Sequence, residues 1–309
     1  MPFSARPATE ADVRGIVELE VRWDTYWFGA PEHDEAEVRE SFDRVDPLAD
    51  RSRLLLDDGR LIAAAWWWRP DNTTILVDPS AASAAIYRDI LPWLVDSGAG
   101  SAEALARDEE LRAALAEHGW EHVHSQFELL RDPAGLPEPR WPDGVTVSSL
   151  GAGDVEQVYT LIYDDAAWAD VPGHTRRDFD EWHSLFVAGN DPDQQVVARE
   201  DGRLVGVALG KTFSDGTGWV AQLAVSHGQR DRGLGTALLA EAFGRRVAAG
   251  ATQLGLGVSA ANSDALRLYE RLGLTIDREW MVHRPRQPTM PGRARARARR
   301  TQADCPATS

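Results

Sequence analysis

The chain has 309 residues and a formal net charge of −16, with 43% hydrophobic and 27% charged residues. This composition is typical of a globular protein, and at roughly 150 residues per domain the length predicts two domains. No run approaches the roughly 18–20 apolar residues that cross a bilayer, and residues 1–7 contain no apolar signal core, so we expect no membrane partner and a cytoplasmic location. The single cysteine, Cys305, excludes an intrachain disulfide and a cysteine-rich metal site, and we expect no metal.

The acidic balance bears on the class of partner. A negative body repels nucleic acid and anionic lipid, so we expect no nucleic acid partner and favour a small-molecule amine as substrate. The same charge also serves general solubility, and both interpretations remain open. The arginine-rich run at residues 293–300 has the composition of a nucleic-acid-binding segment, but we interpret residues 286–309 as a solvated, disordered basic tail. Oligomeric state is not predicted.

The first half of the chain reads as a series of short elements. Residues 3–7 form a candidate opening strand, and Thr9 caps a helix. Residues 22–31 are rich in aromatic side chains and are interpreted as a loop that either lines a pocket or covers the edge of a core. The turn at Asp58 and Gly59 joins two apolar runs and predicts a hairpin. The other predicted elements are a helix at 34–45, a strand at 73–77, helices at 83–95 and 108–118, and a strand at 121–130.

The second half repeats the order of the first after a Pro- and Gly-rich linker at residues 132–144. The matching pairs are Asp12 with Asp154, Gly59 with Gly202, and Gly119 with Gly273, at offsets of 142, 143 and 154 residues. The offset grows where the second half contains a glycine-rich turn that the first half lacks. We therefore interpret the chain as two copies of one α/β unit, of which only the second retains this turn.

The glycine-rich turn is the centre of the second copy. Residues 219–225 are an apolar run of strand type, the turn occupies residues 226–236, and its C-terminal end begins a helix. Because a helix N-terminus presents free backbone N–H groups and a positive dipole end, this arrangement predicts an anion site. Gly233 and Gly235 lack a Cβ atom and would let a phosphate approach the backbone. The other predicted elements are strands at 145–150, 253–258 and 279–283, a hairpin at 196–208, and helices from 154 and at 265–272.

Two motifs follow one another in the second half. The first is Arg230-x-x-Gly233-x-Gly235, and the second is a helix with Asn262 before it and Tyr269 within it. Together they resemble the GNAT family of N-acetyltransferases, which use acetyl-coenzyme A. The resemblance is strong over residues 145–284, and the first half is similar to a degenerate copy.

The resemblance implies an α/β (α+β) fold class with two tandem GNAT-like domains. Each would be a mixed, mostly antiparallel twisted sheet flanked by helices. The arrangement is similar to tandem members of the family, mycothiol-synthase-like proteins among them. The expected division is a degenerate GNAT-like domain at 1–131, a linker at 132–144, a catalytic GNAT domain at 145–285 and the tail at 286–309.

The resemblance also implies roles for individual residues. Tyr269 would be the general acid that protonates the leaving thiolate, since a phenol with a pKa of about 10 is matched to a thiolate. A core aromatic remains the alternative for Tyr269, a helix cap for Asn262, and a solvated surface residue for Arg232. The implied residues that bind acetyl-CoA are Leu223, Ala224, Val225, Arg230, Asp231, Arg232, Gly233, Leu234, Gly235, Thr236 and Asn262.

The strand before the turn departs from the family pattern. Many members carry a glutamate there as general base, whereas this chain offers Trp219 and Gln222. The amine would attack the thioester directly, without a covalent enzyme intermediate, and backbone N–H groups near Val225 would stabilise the oxyanion. The general base is therefore unassigned, and we interpret His227 as a structural residue of the turn.

Residues 163–174 are interpreted as a loop on the acceptor side. Asp164, Asp165 and Trp168 are candidate substrate-binding residues, because aspartates beside a tryptophan can bind a cationic amine. Asp170 and His174 lie in the same segment. A solvated acidic loop is the alternative interpretation.

The sequence leaves two functions open. The first is an acetyl-CoA-dependent N-acetyltransferase that acts on the amine of a small molecule, with a mycothiol-synthase-like enzyme as its narrower form. The second is a non-catalytic acetyl-CoA-binding or regulatory tandem protein. The missing strand carboxylate and the degenerate first half motivate the second.

Overall fold

In a computed structural model of the protein, residues 3–166 and 174–286 are described. Helices and strands alternate through both halves, as the sequence predicts. The first half contains β1 (Ser4–Arg6), α1 (Val13–Phe28), α2 (Glu35–Asp43), α3 (Leu48–Arg51), β2 (Ser52–Asp57), β3 (Arg60–Arg69), β4 (Asn72–Val77), α4 (Ala84–Ser97), β5 (Ala102–Leu105), α5 (Glu109–Glu117) and β6 (Trp120–Arg131). The second half contains β7 (Val145–Ser149), α6 (Val155–Thr160), α7 (Phe179–Phe186), β8 (Val196–Glu200), β9 (Arg203–Thr212), β10 (Thr217–Val225), α8 (Leu234–Ala248), β11 (Gln253–Ser259), α9 (Ser263–Arg271) and β12 (Thr275–Pro285).

The strands form two sheets. The smaller has the order β1-β2-β3-β4, and the larger has the order β5-β12-β6-β11-β10-β9-β8-β7. Neighbouring strands pair antiparallel except β10 and β11, which run parallel. The expected fold class, with mixed and mostly antiparallel sheets flanked by helices, is confirmed.

The larger sheet is shared between the two halves of the chain. β6 lies between β11 and β12, and β5 pairs with the outer edge of β12. The last strand of the first half thus fills a position inside the sheet of the second half. The division at residues 131 and 145 stays a prediction about the sequence repeat.

The repeat has a structural counterpart at each matched position. In the two hairpin turns, Asp58 and Gly59 have φ of 46° and 82°, and Asp201 and Gly202 have φ of 50° and 76°. These are the paired left-handed conformations of a tight hairpin turn. At the start of the first helix of each half, an aspartate carboxylate accepts a hydrogen bond from the backbone N–H three residues earlier. Asp12 accepts from Thr9 at 2.9 Å, and Asp154 accepts from Gly151 at 3.0 Å.

Two sequence interpretations are wrong. The aromatic segment at 22–31 is not a loop, since α1 continues to Phe28 and ends at Gly29, whose φ is 86°. The buried spacing of Ile16 and Leu19 continues without a glycine or proline up to that point, so the helix propagates. The segment at 163–174 is expected from its sequence to be a loop throughout, but its first residues are helical, because Leu161–Asp165 form a π-helical extension of α6.

The two faces of the larger sheet have different neighbours. α8 and α9 cover one face, where Leu129, Val220 and Tyr269 belong to one buried cluster. The opposite face is covered beside β9 by α6 and α7. Further along the sheet it lines a cavity against the first half, to which Glu128 and Leu130 of β6 contribute. No helix among the described residues is long and apolar enough to cross a membrane.

Candidate active site

The parallel strands β10 and β11 diverge in the middle of the sheet. They pair from Thr217 with Gln253 to Val220 with Leu256, and no further. On its other side β10 stays paired with β9 as far as Val225, with a register shift between Val220 and Gln222 that marks a β-bulge. Residues Leu223, Ala224 and Val225, expected from the sequence to bind acetyl-CoA, therefore have a ladder partner only on the β9 side. Their inner edge can accept an extended ligand as an added strand would.

The turn after β10 ends in an uncapped helix. Asp231 and Gly233 adopt positive φ of 60° and 82°, and Gly233 occupies the N-cap position of α8 without a side-chain hydrogen bond. The first backbone N–H groups of α8, on Leu234, Gly235 and Thr236, consequently have no capping side chain. Such free N–H groups and the helix dipole can bind an anion, and the anion site expected from the sequence stays a prediction.

Gly233 and Gly235 are required for different reasons. Gly233 has the left-handed backbone conformation that residues with a Cβ adopt at a cost. A Cβ on Gly235 would lie 3.1 Å from Cδ1 of Leu268 and 3.7 Å from Cγ2 of Val225. Gly235 therefore lets α8 approach α9 and β10 closely, and the phosphate contact expected there from the sequence stays a prediction.

The two arginines of the turn have unequal surroundings. Arg230 donates through Nη2 to the carbonyl oxygen of Ala166 at 2.7 Å, and within the described ranges 3–166 and 174–286 it forms no ion pair. Arg232 forms an ion pair with Glu200 at 2.9 Å and also contacts Gln229. Because of that pairing, Arg232 adds less positive potential to the anion site than Arg230 does.

α9 contains the second motif. Asn262 caps this helix, since its side chain accepts a hydrogen bond of 3.2 Å from the N–H of Ala265. Tyr269 is 8% exposed within the core between α9 and the sheet, and its hydroxyl has no hydrogen bond among the described residues. Burial raises the pKa of Tyr269 to about 12, which keeps the phenol protonated.

The two β10 residues that replace the family glutamate are both engaged in packing. Gln222 is buried, and its amide oxygen accepts a hydrogen bond of 2.8 Å from Nε1 of Trp182 in α7. The indole of Trp219 lies against β11, where a Cβ on Gly255 would be 2.8 Å from Cζ3 and a Cβ on Gly257 would be 3.6 Å from Cζ2. Neither side chain accepts a proton.

The acidic residues near α6 lie on the surface. Asp164 forms an ion pair of 2.5 Å with Arg176, with about half of each side chain exposed. Asp165 and His174 are exposed. Trp168 and Asp170 fall outside the described residues. The predicted role of Asp164, Asp165 and Trp168 in substrate binding stays a prediction.

A cavity of about 420 Å³ lies between the two sheets, on the face of the larger sheet opposite α8 and α9. We call it the inter-sheet cavity. This volume is in the range of small-molecule sites. Polar and aromatic residues in its wall include Glu20, His33, Thr73, Glu103, Glu128 and Trp219.

The wall of the inter-sheet cavity contains more carboxylates than cations: His33 and Arg278 against Glu20, Glu32, Glu103, Asp108, Glu128 and Asp215. Burial raises the pKa of Glu20 to about 7 and that of Glu103 to about 7. Oε2 of Glu20 and Oγ1 of Thr73 are buried without a hydrogen bond among the described residues. Such groups are costly unless a ligand or water satisfies them. The cavity is therefore suited to a cationic, hydrogen-bonding molecule.

Sequence reasoning missed this cavity. Its acidic residues come from α1, the segment after α1, β5, β6 and the segments before α5 and β10, so no motif joins them in the chain. The nearest signal was the aromatic segment of residues 22–31, for which pocket lining was one interpretation. Trp23 and Phe28 do line the cavity, and Trp23 stacks on Trp280 at a centroid distance of 6.2 Å.

The divergent strand pair, the β-bulge and the uncapped helix are arranged as expected for the N-acetyltransferase class that the sequence resembles. A family model for the GNAT acetyltransferases matches residues 155–274. The chain belongs to the GNAT family.

Relatives with known names support this assignment. A mycothiol acetyltransferase of Clavibacter sepedonicus is 32% identical over 208 residues, which cover 64% of this chain and 67% of that protein. A mycothiol acetyltransferase of Streptomyces avermitilis is 33% identical over 163 residues, which cover 51% of this chain and 52% of that protein. The chain thus spans about half to two thirds of the length of these relatives.

Solved structures share the fold over most of the chain. A GCN5-related N-acetyltransferase from Sphaerobacter thermophilus has a TM-score of 0.78 and 24% identity, with 91% of this chain and 95% of that chain covered. A tandem GNAT protein from the clavulanic acid biosynthesis pathway has a TM-score of 0.69 and 14% identity, with 91% and 98% covered. Both likenesses concern the fold.

Proposed function

We propose that this protein transfers the acetyl group of acetyl-CoA to the amine of a small cationic molecule bound in the inter-sheet cavity. The observation that carries the proposal is the divergence of β10 from β11 directly before the uncapped N-terminus of α8. The open strand edge fits the pantetheine arm, and the anion site that follows it directly in the chain fits the pyrophosphate of the same ligand. Acetyl-CoA would supply an activated acetyl thioester.

The residues of the second half would divide the work of binding. Leu223, Ala224 and Val225 would pair their backbone with the pantetheine arm. The N–H groups of residues 231–236 would hold the pyrophosphate, and the positive charge of Arg230 would strengthen that contact. Asn262 would act by capping α9, which positions Tyr269.

Tyr269 would donate the proton that the leaving sulfur requires. Its burial keeps the phenol protonated at neutral pH, and its hydroxyl is not committed to another partner among the described residues. A general acid of this kind contributes a factor of about 10²–10⁴ to the rate. The acceptor would approach from the opposite face of the sheet, where the acidic wall of the cavity attracts a cation.

Release of the coenzyme A thiol in the presence of a panel of amines tests the activity. A matched pair of variants in one turn tests the site. Gly233→Ala strains a position with φ of 82° and should weaken acetyl-CoA binding at least tenfold by calorimetry. Gly228→Ala is the control, since its Cβ would meet nothing within 4 Å and its φ is not positive. Equal affinities of the two variants would count against the site.

A second function, binding of acetyl-CoA without turnover, has one observation in its favour. Gln222 is buried and hydrogen-bonded, so β10 contributes no carboxylate to the reaction. Tight binding of acetyl-CoA without thiol release for any amine would support this alternative. A mycothiol-like acceptor is one member of the amine panel, motivated by the names of the relatives.

A further inference from the structure

The proposed reaction needs a proton acceptor, and β10 provides none. An ammonium must lose a proton before its nitrogen can attack a thioester. The amide oxygen of Gln222 is hydrogen-bonded to the indole of Trp182, and Trp219 contributes only an indole to the cavity wall, so neither is a base. The group that accepts the proton must therefore come from another element of the cavity wall.

Glu128 is the cavity carboxylate on the strand next to the divergence. It lies on β6, directly opposite Gly257 of β11. Gly257 follows Leu256, the last β11 residue that pairs with β10. Cα atoms of such antiparallel partners are about 4.5–5.5 Å apart. Gly257 has no side chain, and a Cβ there would lie 3.6 Å from Cζ2 of Trp219. On β11, therefore, no side chain at this position separates Glu128 from the indole of Trp219, which also lines the cavity.

The other cavity acids lie further from this point. Glu20 belongs to α1, across the cavity from the sheet. Glu103 belongs to β5, which is separated from β11 by β12 and β6. Asp215 precedes the start of β10, at the end of the strand where β10 and β11 are still paired. Compared with these three carboxylates, Glu128 has its backbone beside the region where the strands part.

Neighbouring groups hold the Glu128 carboxylate in the cavity wall. Oε1 accepts a hydrogen bond of 2.9 Å from Nε1 of Trp280, and Oε2 lies 3.3 Å from Nε of Arg278. Arg278 is itself fixed by a bidentate contact with Glu32, at 2.7 and 2.8 Å. The side chain of Glu128 remains 30% exposed, so it is oriented but still accessible.

The electrostatic surroundings favour a base that works near neutral pH. Burial raises the pKa of Glu128. The charge of Arg278 and the hydrogen bond from Trp280 lower this pKa, whereas the charges of Glu32 and Asp277 raise it. Glu103 on β5 is a further acidic neighbour, whose own pKa is raised in part by Glu128. The net direction is upward, towards the range in which a carboxylate is an effective base.

We propose that Glu128, supplied by the first half of the chain through the shared strand β6, is the general base of acetyl transfer. This inference rests on the proposed function. The sharing of β6 would then matter for catalysis, since the second half would be inactive without the strand that the first half provides.

The proton and bond changes balance without another reactant. Glu128 takes one proton from the ammonium, and the nitrogen lone pair forms the C–N bond to the acetyl carbon. The C–S bond breaks, and the sulfur takes the proton of Tyr269. The second nitrogen proton is lost as the neutral amide forms, and through solvent it restores the Tyr269 hydroxyl. Glu128 returns its proton to solvent, so one proton is released in each turnover.

The experiment compares the pH dependence of kcat in full-length wild type, E128Q and E128D. E121Q is the matched control, because Glu121 lies on the same strand but is exposed and paired with Arg286. E128Q should lower kcat at pH 7.5 by about 100-fold, remove the fall in rate at acidic pH, and leave the affinity for acetyl-CoA unchanged. E128D should keep the acidic fall at a reduced rate, and E121Q should match wild type.

Two results would overturn the assignment. One is an E128Q rate within about threefold of wild type at pH 7.5. The other is a lower rate that keeps the wild-type acidic fall, which would identify a merely structural contribution. If E128Q fails to fold, loss of the acidic fall in E128D would overturn the assignment just as well. A wild-type protein that binds acetyl-CoA but acetylates no amine would refute the proposed function instead. This result differs from those above, so failure of the proposed function can be told from failure of the Glu128 assignment.

Discussion

Oε1 of Gln222 accepts a hydrogen bond of 2.8 Å from Nε1 of Trp182, and both side chains are buried. The pair joins α7 to the bulged part of β10, next to the point where the strands part. It also explains why a neutral amide stands at this position, because a carboxylate would have to be desolvated beside an apolar cluster.

Replacing Gln222 with leucine should destabilise the protein by about 1–3 kcal/mol, because the indole N–H of Trp182 would be left buried and unpaired. The double variant Q222L/W182F removes both partners and should lose less stability than the sum of the single variants. Urea unfolding of the four proteins measures the coupling. A sum that is strictly additive would show that the hydrogen bond contributes nothing measurable.

Tyr269→Phe separates catalysis from folding. The hydroxyl has no hydrogen bond among the described residues, so its removal should leave the melting temperature nearly unchanged. If the phenol protonates the leaving sulfur, kcat should fall by about 100-fold while the affinity for acetyl-CoA stays the same. Steady-state kinetics, calorimetry and a thermal melt check the three expectations. Unchanged kcat would return Tyr269 to the role of a core aromatic.

The local features of the second half could be predicted from its sequence because they depend on short-range chemistry. The turn before α8, the cap at Asn262 and the hairpin turn at Gly202 each follow from the backbone preferences of a few adjacent residues. The same holds for the repeat, whose matched positions recur at nearly constant offsets. Spacing within one element is sufficient for these features.

Features that depend on pairing between distant strands could not be predicted. Nothing in the residues of β6 indicates that it pairs with β11 and β12 of the other half, because alternation fixes which face a strand buries and not its neighbours. The inter-sheet cavity is a consequence of that pairing. Its carboxylates therefore have no signal in the sequence, which places Glu128 only in a closing strand.

Gly235→Ala tests the packing of α8 on α9. The new methyl group would lie 3.1 Å from Cδ1 of Leu268, so the leucine side chain would have to shift by a few tenths of an ångström. We expect a loss of about 1–3 kcal/mol of stability, since overpacking a close helix contact strains the backbone. The added substitution Leu268→Ala removes the clashing atom and should recover part of that loss, although it also removes apolar contacts of its own. Chemical unfolding of the two variants and of Leu268→Ala alone provides the comparison.

If Leu268→Ala costs the same stability in the presence of alanine at 235 as in its absence, the two residues are not coupled and the packing argument fails. A weaker acetyl-CoA affinity in G235A that L268A restores would further show that the approach of the two helices shapes the anion site.

The buried acid Glu103 predicts a pH-dependent stability. Burial raises its folded-state pKa to about 7, above the ordinary glutamate value of 4.5. Between these values the folded state binds more protons than the unfolded state, so the stability contributed by this group falls as the pH rises from about 4.5 to about 7 and is constant beyond. Glu103→Gln removes the titration. Relative to wild type it should gain stability across this window, on the order of 2 kcal/mol at pH 8.

Urea unfolding at pH 4.5 and pH 8 measures this difference, and E121Q is the control for removing an exposed carboxylate. The same carboxylate gives the cavity its preference for a cation, because an ionised Glu103 is stabilised by a positive ligand. A cationic amine that binds there should therefore reduce the stability difference between wild type and E103Q at pH 8, since ligand binding stabilises the folded wild type by mass action. If the amine leaves that difference unchanged, Glu103 lies outside the part of the cavity that the ligand occupies.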